Sequence, residues 1–507
     1  MDGFIGLDLG TTGVRAILVS ERGAIISAHD AAHELLLPRP GWAESDAQRW
    51  WSGAIQTLAA VAADARSRGI APAAIGLTGQ MHGAVLLDGA GGVVRPPILW
   101  CDVRTGPQAQ AAERALGSEL VAVAGNPALP NFTATKLLWV REVEPERFGR
   151  VRHLLLPKDY IRYRLTGMLA TDVTDASGTL LFDVARRSWS RSILAALELP
   201  ESLLPPAFES VEVAGTLTAE AAAATGLPRG LPVAAGAGDQ PAGAIGAGVT
   251  GPDGSMISLG TSGVVFVPTR RPLPDPDGRL HLLCAAVAGQ WCYLGVTQAA
   301  AESLRWLSER VLNQEIPQLL EAAAQVPPGA RGLRYLPYLM GERTPHLDAQ
   351  ARGAFFGLTA RHGAADLTRA VLEGVAMSLR DAVELVLGLG SAVTDARVIG
   401  GGARSPLWRS ILSAVLGMPV GHLPTEEGPA LGAAVLAAVA VGAHASVVSA
   451  AQAMVPPPRR EPPDPGAHAA YQRAYESYRA LYPATAAIMH ALGEEEALDL
   501  SDAGTGS

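Results

Sequence analysis

The first thirty residues alternate between short apolar runs and turn residues. Phe4-Ile5-Gly6-Leu7-Asp8-Leu9 is almost continuously apolar, the pattern of a buried strand. Gly10-Thr11-Thr12-Gly13 reads as a turn, Val14 to Val19 as a second strand, Glu21-Arg22-Gly23 as another turn, and Ala24-Ile25-Ile26 as a third strand. Three short strands on tight turns predict an antiparallel opening. From Asp46 to about Arg68 the period becomes helical, with Trp50, Ile55, Leu58 and Val61 near one face, and Ala73–Leu77 returns to strand. The alternation that follows predicts a layered α/β protein. Asp366–Leu387 reads as a long helix with one apolar face, because Leu367, Val371, Val375, Leu379, Val383 and Leu387 recur at every fourth position. Arg397–Ile399 predicts a strand leading into Gly400-Gly401-Gly402. Pro456–Pro465 reads as a Pro-rich connector, Ala469–Leu492 as a last helix, and Gly493–Ser507 as a flexible acidic tail.

One segment repeats. Leu9-Gly10-Thr11-Thr12-Gly13-Val14 returns 250 residues later as Leu259-Gly260-Thr261-Ser262-Gly263-Val264, changed only from Thr to Ser. Each copy lies between two short apolar runs. The repeat predicts two related domains, residues 1–250 and 251–492, each offering a hairpin loop.

Composition narrows the function. The 507 residues carry 48% hydrophobic and 18% charged side chains, which excludes a disordered chain, and 56 glycines with 37 prolines fit a loop-rich α/β protein. The net charge of −9 argues against nucleic acid or anionic lipid as partner. Cys101, Cys284 and Cys292 form no disulfide framework and no CxxC metal pattern, as expected of a reducing cytoplasm. The start, MDGFIGLDLG, lacks the basic and apolar regions of a secretory signal, and no run reaches the ~18 apolar residues of a membrane span. There are only two lysines, Lys136 and Lys158, and neither follows glycine, so the chain has no Walker-A loop. Bound phosphates would have to be held by backbone N–H groups, arginine or a metal ion.

The Gly-Thr loops can supply such N–H groups, since glycine admits close approach of an anion. Asp8, a carboxylate inside an apolar run beside the first loop, is placed for Mg²⁺ through water, although an aspartate capping its own turn has the same pattern. Asp239, in Gly236-Ala237-Gly238-Asp239-Gln240, follows the predicted strand Leu231–Ala235. There it can act as a general base on a hydroxyl or close a simple Asx turn. Gly79-Gln80-Met81-His82-Gly83 offers polar groups and an apolar wall suited to a sugar. Leu99-Trp100-Cys101-Asp102-Val103-Arg104 adds an aromatic ring, a carboxylate and a guanidinium. Gly246–Gly251 spells GxGxxG but leads into Pro252-Asp253-Gly254 in place of a helix, so it does not read as a dinucleotide site.

Together these segments resemble the FGGY family of carbohydrate kinases, from Gly3 to about Tyr482. The resemblance implies a two-domain α/β fold of the sugar kinase–actin–Hsp70 (ribonuclease H-like) type, with a catalytic cleft between the domains. It implies phosphate binding by Gly10, Thr11, Thr12 and Gly13 and by Gly260, Thr261 and Ser262, and adenosine binding by Gly401, Gly402 and Ala403. It makes Asp239 the base and Asp8 the Mg²⁺ residue, and gives sugar contacts to Met81, His82, Trp100, Asp102 and Gln240. The loops at Gly79–Gly83, Leu156–Tyr160, Thr174–Thr179 and Gly341–His346 are most similar to those of members acting on D-xylulose. The implied reaction is ATP-dependent phosphorylation of a primary ketopentose hydroxyl, giving D-xylulose 5-phosphate. Its partners are a sugar and ATP, with no nucleic acid and no membrane; a homodimer stays open. Gln240 and Cys101 stand where such members usually carry Asn. Asn131 stands where the family pattern has Gly, Ser, Met or an aromatic. Another sugar or polyol (ribulose, gluconate, a pentitol), an actin-like ATPase and a non-catalytic sugar sensor remain the alternatives.

Overall fold

The computed structural model describes residues 2–424 and 427–504. It divides into two compact units. One comprises Met1–Gly251, Pro268–Cys292 and Glu427–Pro457; the other comprises Pro252–Val267, Tyr293–Glu426 and Pro458–Ser507. The first crossing between the units falls after Gly251. Two later segments return to the first unit, so the units are not the contiguous halves expected from the sequence.

The first unit opens with strands β1 (Asp2–Leu9), β2 (Gly13–Ser20) and β3 (Ile25–Ala32), antiparallel in succession as the turns predict. The helix Ala47–Ser67 then returns the chain to β4 (Ala71–Gly79), which pairs parallel with β1. Asp46 caps this helix, its carboxylate accepting the Gln48 N–H. Strands β5 (Val213–Thr216), β6 (Pro232–Ala234) and β7 (Ala237–Gly238) complete the sheet. Its order is β5–β6–β4–β1–β2–β3, with β7 also on β4.

Both faces of this sheet are covered, which is why β1 is apolar on both sides. Ile5, Leu7 and Leu9 pack with Trp50, Ala54, Leu58 and Val61 of the helix Ala47–Ser67. The opposite face carries Phe4, Ile17 and Val19 against Ala430, Leu431, Ala434 and Val435 of the helix Gly428–Ala440. That second helix lies backbone to backbone on glycines. A Cβ on Gly6 would stand 1.9 Å from the Ala430 carbonyl oxygen, and one on Gly76 would stand 1.9 Å from that of Ala433. This contact, between residues more than 350 positions apart, brings 427–457 back to the first unit.

The second unit repeats the opening motif. Strands β8 (Ser255–Leu259) and β9 (Gly263–Thr269) form an antiparallel hairpin. They lie in a sheet with β10 (Trp291–Thr297), β11 (Ala396–Ile399), β12 (Val420–His422) and β13 (Arg459–Glu461), ordered β10–β9–β8–β11–β12–β13. β11 is parallel to β8, as β4 is to β1. β13 lies inside the stretch read as a Pro-rich connector; a polar edge strand of Arg-Arg-Glu leaves no hydrophobic period to detect.

The helix Ala364–Gly388 is buried almost all round, and Leu387 at its end is 43% exposed. Positions four apart advance 400°, so a strict four-residue repeat drifts about 40° per step and leaves one face. The last helix runs from Pro465 to Gly504, beyond both ends of the predicted Ala469–Leu492 and through most of the supposed tail. Tail residues 505–507 lie outside the described residues.

Candidate active site

β1 and β7 flank β4 with the same polarity. Asp8 on β1 and Ala237 on β7 both pair with Thr78, and Asp239 follows two residues beyond Ala237. Both carboxylates therefore lie at the carboxyl ends of parallel strands, the edge where open α/β sheets leave a crevice. Asp8 shares a face with Phe4 and Gly6, by the two-residue period of a strand. That face leads to Glu427, directly before the helix Gly428–Ala440. Arg15, opposite Asp8 on β2, ion-pairs with both Asp30 and Glu427.

Asp8 Oδ1 is buried without a hydrogen-bond partner. Burial, with the nearby charges of Asp239 and Glu427, pushes the Asp8 carboxyl up to about 7 against the pull of Arg15. Asp239 is the first residue of the helix Asp239–Gly246, not an Asx turn, and its Oδ1 accepts the Gln240 N–H at 2.8 Å. Burial pushes Asp239 up to about 6 although the bonds from Gln240 favour its ionised form. Gln240 Oε1 is itself buried without a partner.

The first Gly-Thr loop is closed by Gly10 N–H donating to the Gly13 carbonyl at 2.9 Å. Its neighbours hold it from outside. The Gln80 N–H donates to Leu9 O at 2.9 Å, the Gln80 amide to Gly10 O at 3.3 Å, and the Trp100 indole N–H to Thr11 Oγ1 at 3.0 Å. Trp100 thus braces the Gly10–Gly13 loop. Met81, 4% exposed, lies on Gly238; a Cβ there would stand 2.6 Å from Met81 Cγ, so glycine is required beside the candidate base.

His82 adopts a left-handed backbone (φ 65°), and its Nδ1 lies 2.7 Å from the Gly178 carbonyl. A carbonyl only accepts, so the proton of the neutral ring sits on Nδ1 and Nε2 is the acceptor. Phe132 stands edge-on to the His82 ring, and Lys136 Nζ donates to the carbonyls of His82 (2.9 Å) and Asn131. The buried side-chain amide nitrogen of Asn131 has no partner.

Asp102 is a correction. It is fully buried and its oxygens are spent within the protein. Oδ2 accepts from Ala43 N–H at 2.6 Å and from Arg104 Nε and Nη2; Oδ1 accepts from Arg104 N–H and Nε. A carboxylate offers about four lone-pair sites, so none remains for a sugar hydroxyl.

In the second unit, Gly260, Thr261 and Ser262 follow β8, and Gly401, Gly402 and Ala403 follow β11, the parallel neighbour of β8. The Gly260 and Thr261 carbonyls accept from Ala301 and Ala300 N–H. A Cβ on Gly402 would stand 2.9 Å from Leu259 Cβ, so the two loops are packed directly together. In Gly246–Gly251, read against a dinucleotide site, Gly246 serves packing: a Cβ there would meet the Gly428 carbonyl at 1.8 Å.

A buried ion cluster beside Asp239 has no counterpart in the residue-by-residue reading. Lys158 Nζ lies 2.7, 2.5 and 2.9 Å from Asp159, Asp172 and Asp175, and Arg162 Nη2 lies 2.6 Å from Asp159; all five side chains are fully buried. The three aspartates have the spacing of a metal-ligand set, but the ammonium already lies within ion-pair distance of all of them. Burial favours neutral Lys158, yet the three carboxylates outweigh it and hold the ammonium above its usual range. Burial and the neighbouring aspartates raise Asp175 well above a normal carboxyl, against the pull of Lys158. Lys158 and Arg162 overcome burial at Asp159 and keep it low. The signal in the sequence was the proximity of the only lysine outside residue 136 to three aspartates within 18 positions.

Two domain descriptions match almost end to end: the N-terminal domain of the FGGY family of carbohydrate kinases over residues 4–246, and its C-terminal domain over residues 255–441. The chain belongs to the FGGY family of carbohydrate kinases. It is 40% identical to the xylulose kinase of Escherichia coli (strain K12) over 480 residues, 94% of this chain and 98% of that one. Among solved structures, the xylulose kinase from Rhodospirillum rubrum is 34% identical with a TM-score of 0.87, over 96% of this chain and 100% of that one. The gluconate kinase from Lactobacillus acidophilus is 26% identical with a TM-score of 0.90, over 96% and 98%. The two-domain FGGY sugar-kinase fold that the sequence implied is thereby established, and a kinase of this family takes a sugar and ATP.

Proposed function

We propose that this FGGY kinase transfers the γ-phosphoryl group of ATP to the primary hydroxyl of D-xylulose, giving D-xylulose 5-phosphate and ADP. The observation that carries the reading is Asp239, a half-buried carboxylate pushed up to about 6 at the head of its helix, beside Met81 and on the strand-end edge with Asp8. Near-neutral affinity is what a base needs to take a hydroxyl proton at physiological pH. As Asp239 accepts that proton, the hydroxyl oxygen bonds to the γ-phosphorus, the bond from phosphorus to the β–γ bridging oxygen breaks, and ADP carries away the electron pair.

Met81, His82, Trp100 and Gln240 form the sugar side, without Asp102. Gln240 Oε1, buried and unpartnered, is an acceptor awaiting a hydroxyl. The amides and hydroxyls of Gly10, Thr11, Thr12, Gly13, Gly260, Thr261 and Ser262 take the phosphates, and Gly401, Gly402 and Ala403 take the adenosine. Neither lysine is available for this, since Lys136 and Lys158 are fully buried among other partners. Asp8 fits Mg²⁺ held through water: its Oδ1 is an orphaned buried acceptor next to a second carboxylate. The bound ion would offset negative charge on the phosphates. The reading puts the enzyme in the cytoplasm; among the described residues no helix is long and apolar enough to cross a membrane.

The Gln240 position and the structural likeness to a gluconate kinase favour one second reading, a different sugar at the same site. Sugar-dependent ADP release across D-xylulose, D-ribulose, gluconate and pentitols tests both. The highest kcat/KM on D-xylulose supports the first reading, and on another sugar the second. ADP release independent of sugar would make the chain an ATPase, and sugar binding without turnover would make it a sensor.

A further inference from the structure

The segment Ala235–Gly238, which delivers Asp239, is held by a set of buried bonds. Ala235 N–H donates to Glu212 O at 2.8 Å and Gly236 N–H to Ser210 O at 3.0 Å, while Arg162 Nη1 donates to Ala235 O at 2.7 Å. At the end nearest Asp239, Gly238 N–H donates to Thr174 Oγ1 at 2.9 Å. The Thr174 hydroxyl has one proton, and it goes to Asp172 Oδ1 at 2.5 Å. Its lone pairs therefore face Gly238, and the direction of the bond is fixed. Asp172 Oδ1 also accepts the Thr174 N–H at 2.8 Å, and Asp172 Oδ2 lies 2.5 Å from Lys158 Nζ. Lys158 and Arg162 thus anchor the two ends of one segment, Lys158 through Asp172 and Thr174, Arg162 directly.

We infer that Thr174 is a positioning residue for Asp239, oriented by the buried Lys158–Asp172 pair; this rests on the reading of Asp239 as the base. Thr174 needs no contact with sugar or nucleotide to act. Removing its acceptor orphans the Gly238 N–H one residue before the base, in a segment where Gly236 (φ 78°) already holds a conformation that other residues rarely adopt. A base displaced by a fraction of an ångström is still ionised and still beside its sugar, but is misaligned with the hydroxyl proton. The loss therefore falls on kcat and spares binding.

The test compares wild type, Thr174→Val and Thr174→Ser with D-xylulose and ATP. Valine keeps the volume and removes the acceptor; serine keeps it. Thr174→Val is expected to lower kcat on the order of 10- to 100-fold with the sugar KM within about threefold of wild type. Thr174→Ser is expected to restore kcat to within about threefold. A folded Thr174→Val enzyme with kcat within about twofold of wild type, or a loss that serine does not repair, overturns the inference. If Asp239→Asn is as active as wild type, the base assignment fails and the inference with it. Should Thr174→Val not fold, amide hydrogen exchange of the unaltered protein decides. Gly238 N–H must then exchange as slowly as the core amides of β4, and exchange at the rate of surface loops refutes a role for Thr174.

Discussion

The two Gly-Thr hairpins are nearly the same in sequence and differ in what surrounds them. Each joins an antiparallel strand pair whose first strand has a parallel neighbour: β4 beside β1, β11 beside β8. Yet Leu9 pairs with Val14, while Leu259 pairs with Gly263, so the second loop closes one residue tighter. Residues such as Gly and Thr tolerate either closure, and the flanking strands decide the register. The charge differs as well. Two residues before the glycine, the first hairpin carries Asp8, opposite Arg15; the second carries Ser258, opposite Val264. One loop is built into a site with two raised carboxylates, the other into a neutral setting packed against Gly402. The same loop sequence need not carry the same chemistry: in the proposed mechanism, the position two residues ahead of each glycine makes the first hairpin a chemical pole and the second a binding pole.

Asp239→Asn should lower kcat by roughly 10²–10⁴-fold while D-xylulose binding, measured by titration calorimetry, persists. An enzyme retaining most of its kcat would remove Asp239 from the chemistry and, with it, the asymmetry between the hairpins.

Shortening the Gln240 side chain by one methylene, Gln240→Asn, moves its amide by roughly one C–C bond length, ~1.5 Å. The ratio of kcat/KM for D-xylulose over D-ribulose should change by roughly 5- to 150-fold, with a smaller effect on the ATP KM. A ratio within about twofold of wild type would make Gln240 a neutral neighbour of the base.

The raised carboxylates also give the first hairpin a pH signature. Asp239 must be ionised to accept a proton, so kcat/KM should fall, by about tenfold per unit, as pH drops below about 6. An acid limb near the ordinary aspartate value, ~3.9, would mean that the surroundings of Asp239 do not raise it.

Stability should move the other way. A carboxyl raised in the fold holds a proton that the unfolded chain releases, so its contribution weakens as pH rises from about 4 to about 7 at Asp8. Asp8→Asn should therefore raise Tm by a few degrees at pH 8 and leave it nearly unchanged at pH 4, at the expense of activity. A lower Tm at pH 8 would contradict the cost assigned to this charge.

Much of this organisation was legible in local sequence. The strand–loop–strand pattern at Phe4–Val19, its repeat at Met256–Val267 and the strand before Asp239 depend on neighbours a few residues apart. Features set by distant partners were not. The return of 427–457 to the first unit depends on Gly6 and Gly76 accepting a helix backbone, and no periodicity encodes that. Asp102 reads as a sugar ligand because its place beside Trp100 shows; the Ala43 N–H that spends it, 59 positions away, does not. Thr174 passes as an ordinary buried threonine until Gly238, 64 positions on, is seen to donate to it.

A steady-state comparison of two single variants, Asp8→Ser and Ser258→Ala, with D-xylulose, ATP and Mg²⁺, separates the roles of the two hairpins. Asp8→Ser gives the first hairpin the residue that the second carries. Asp8→Ser is expected to lose kcat on the order of 10²-fold, the scale of removing one charge-stabilising group. Ser258→Ala is expected to keep kcat within about threefold of wild type, since no reacting group is removed. Equal losses at both positions, or a larger loss at Ser258, would contradict the division of the two hairpins into a chemical and a binding pole.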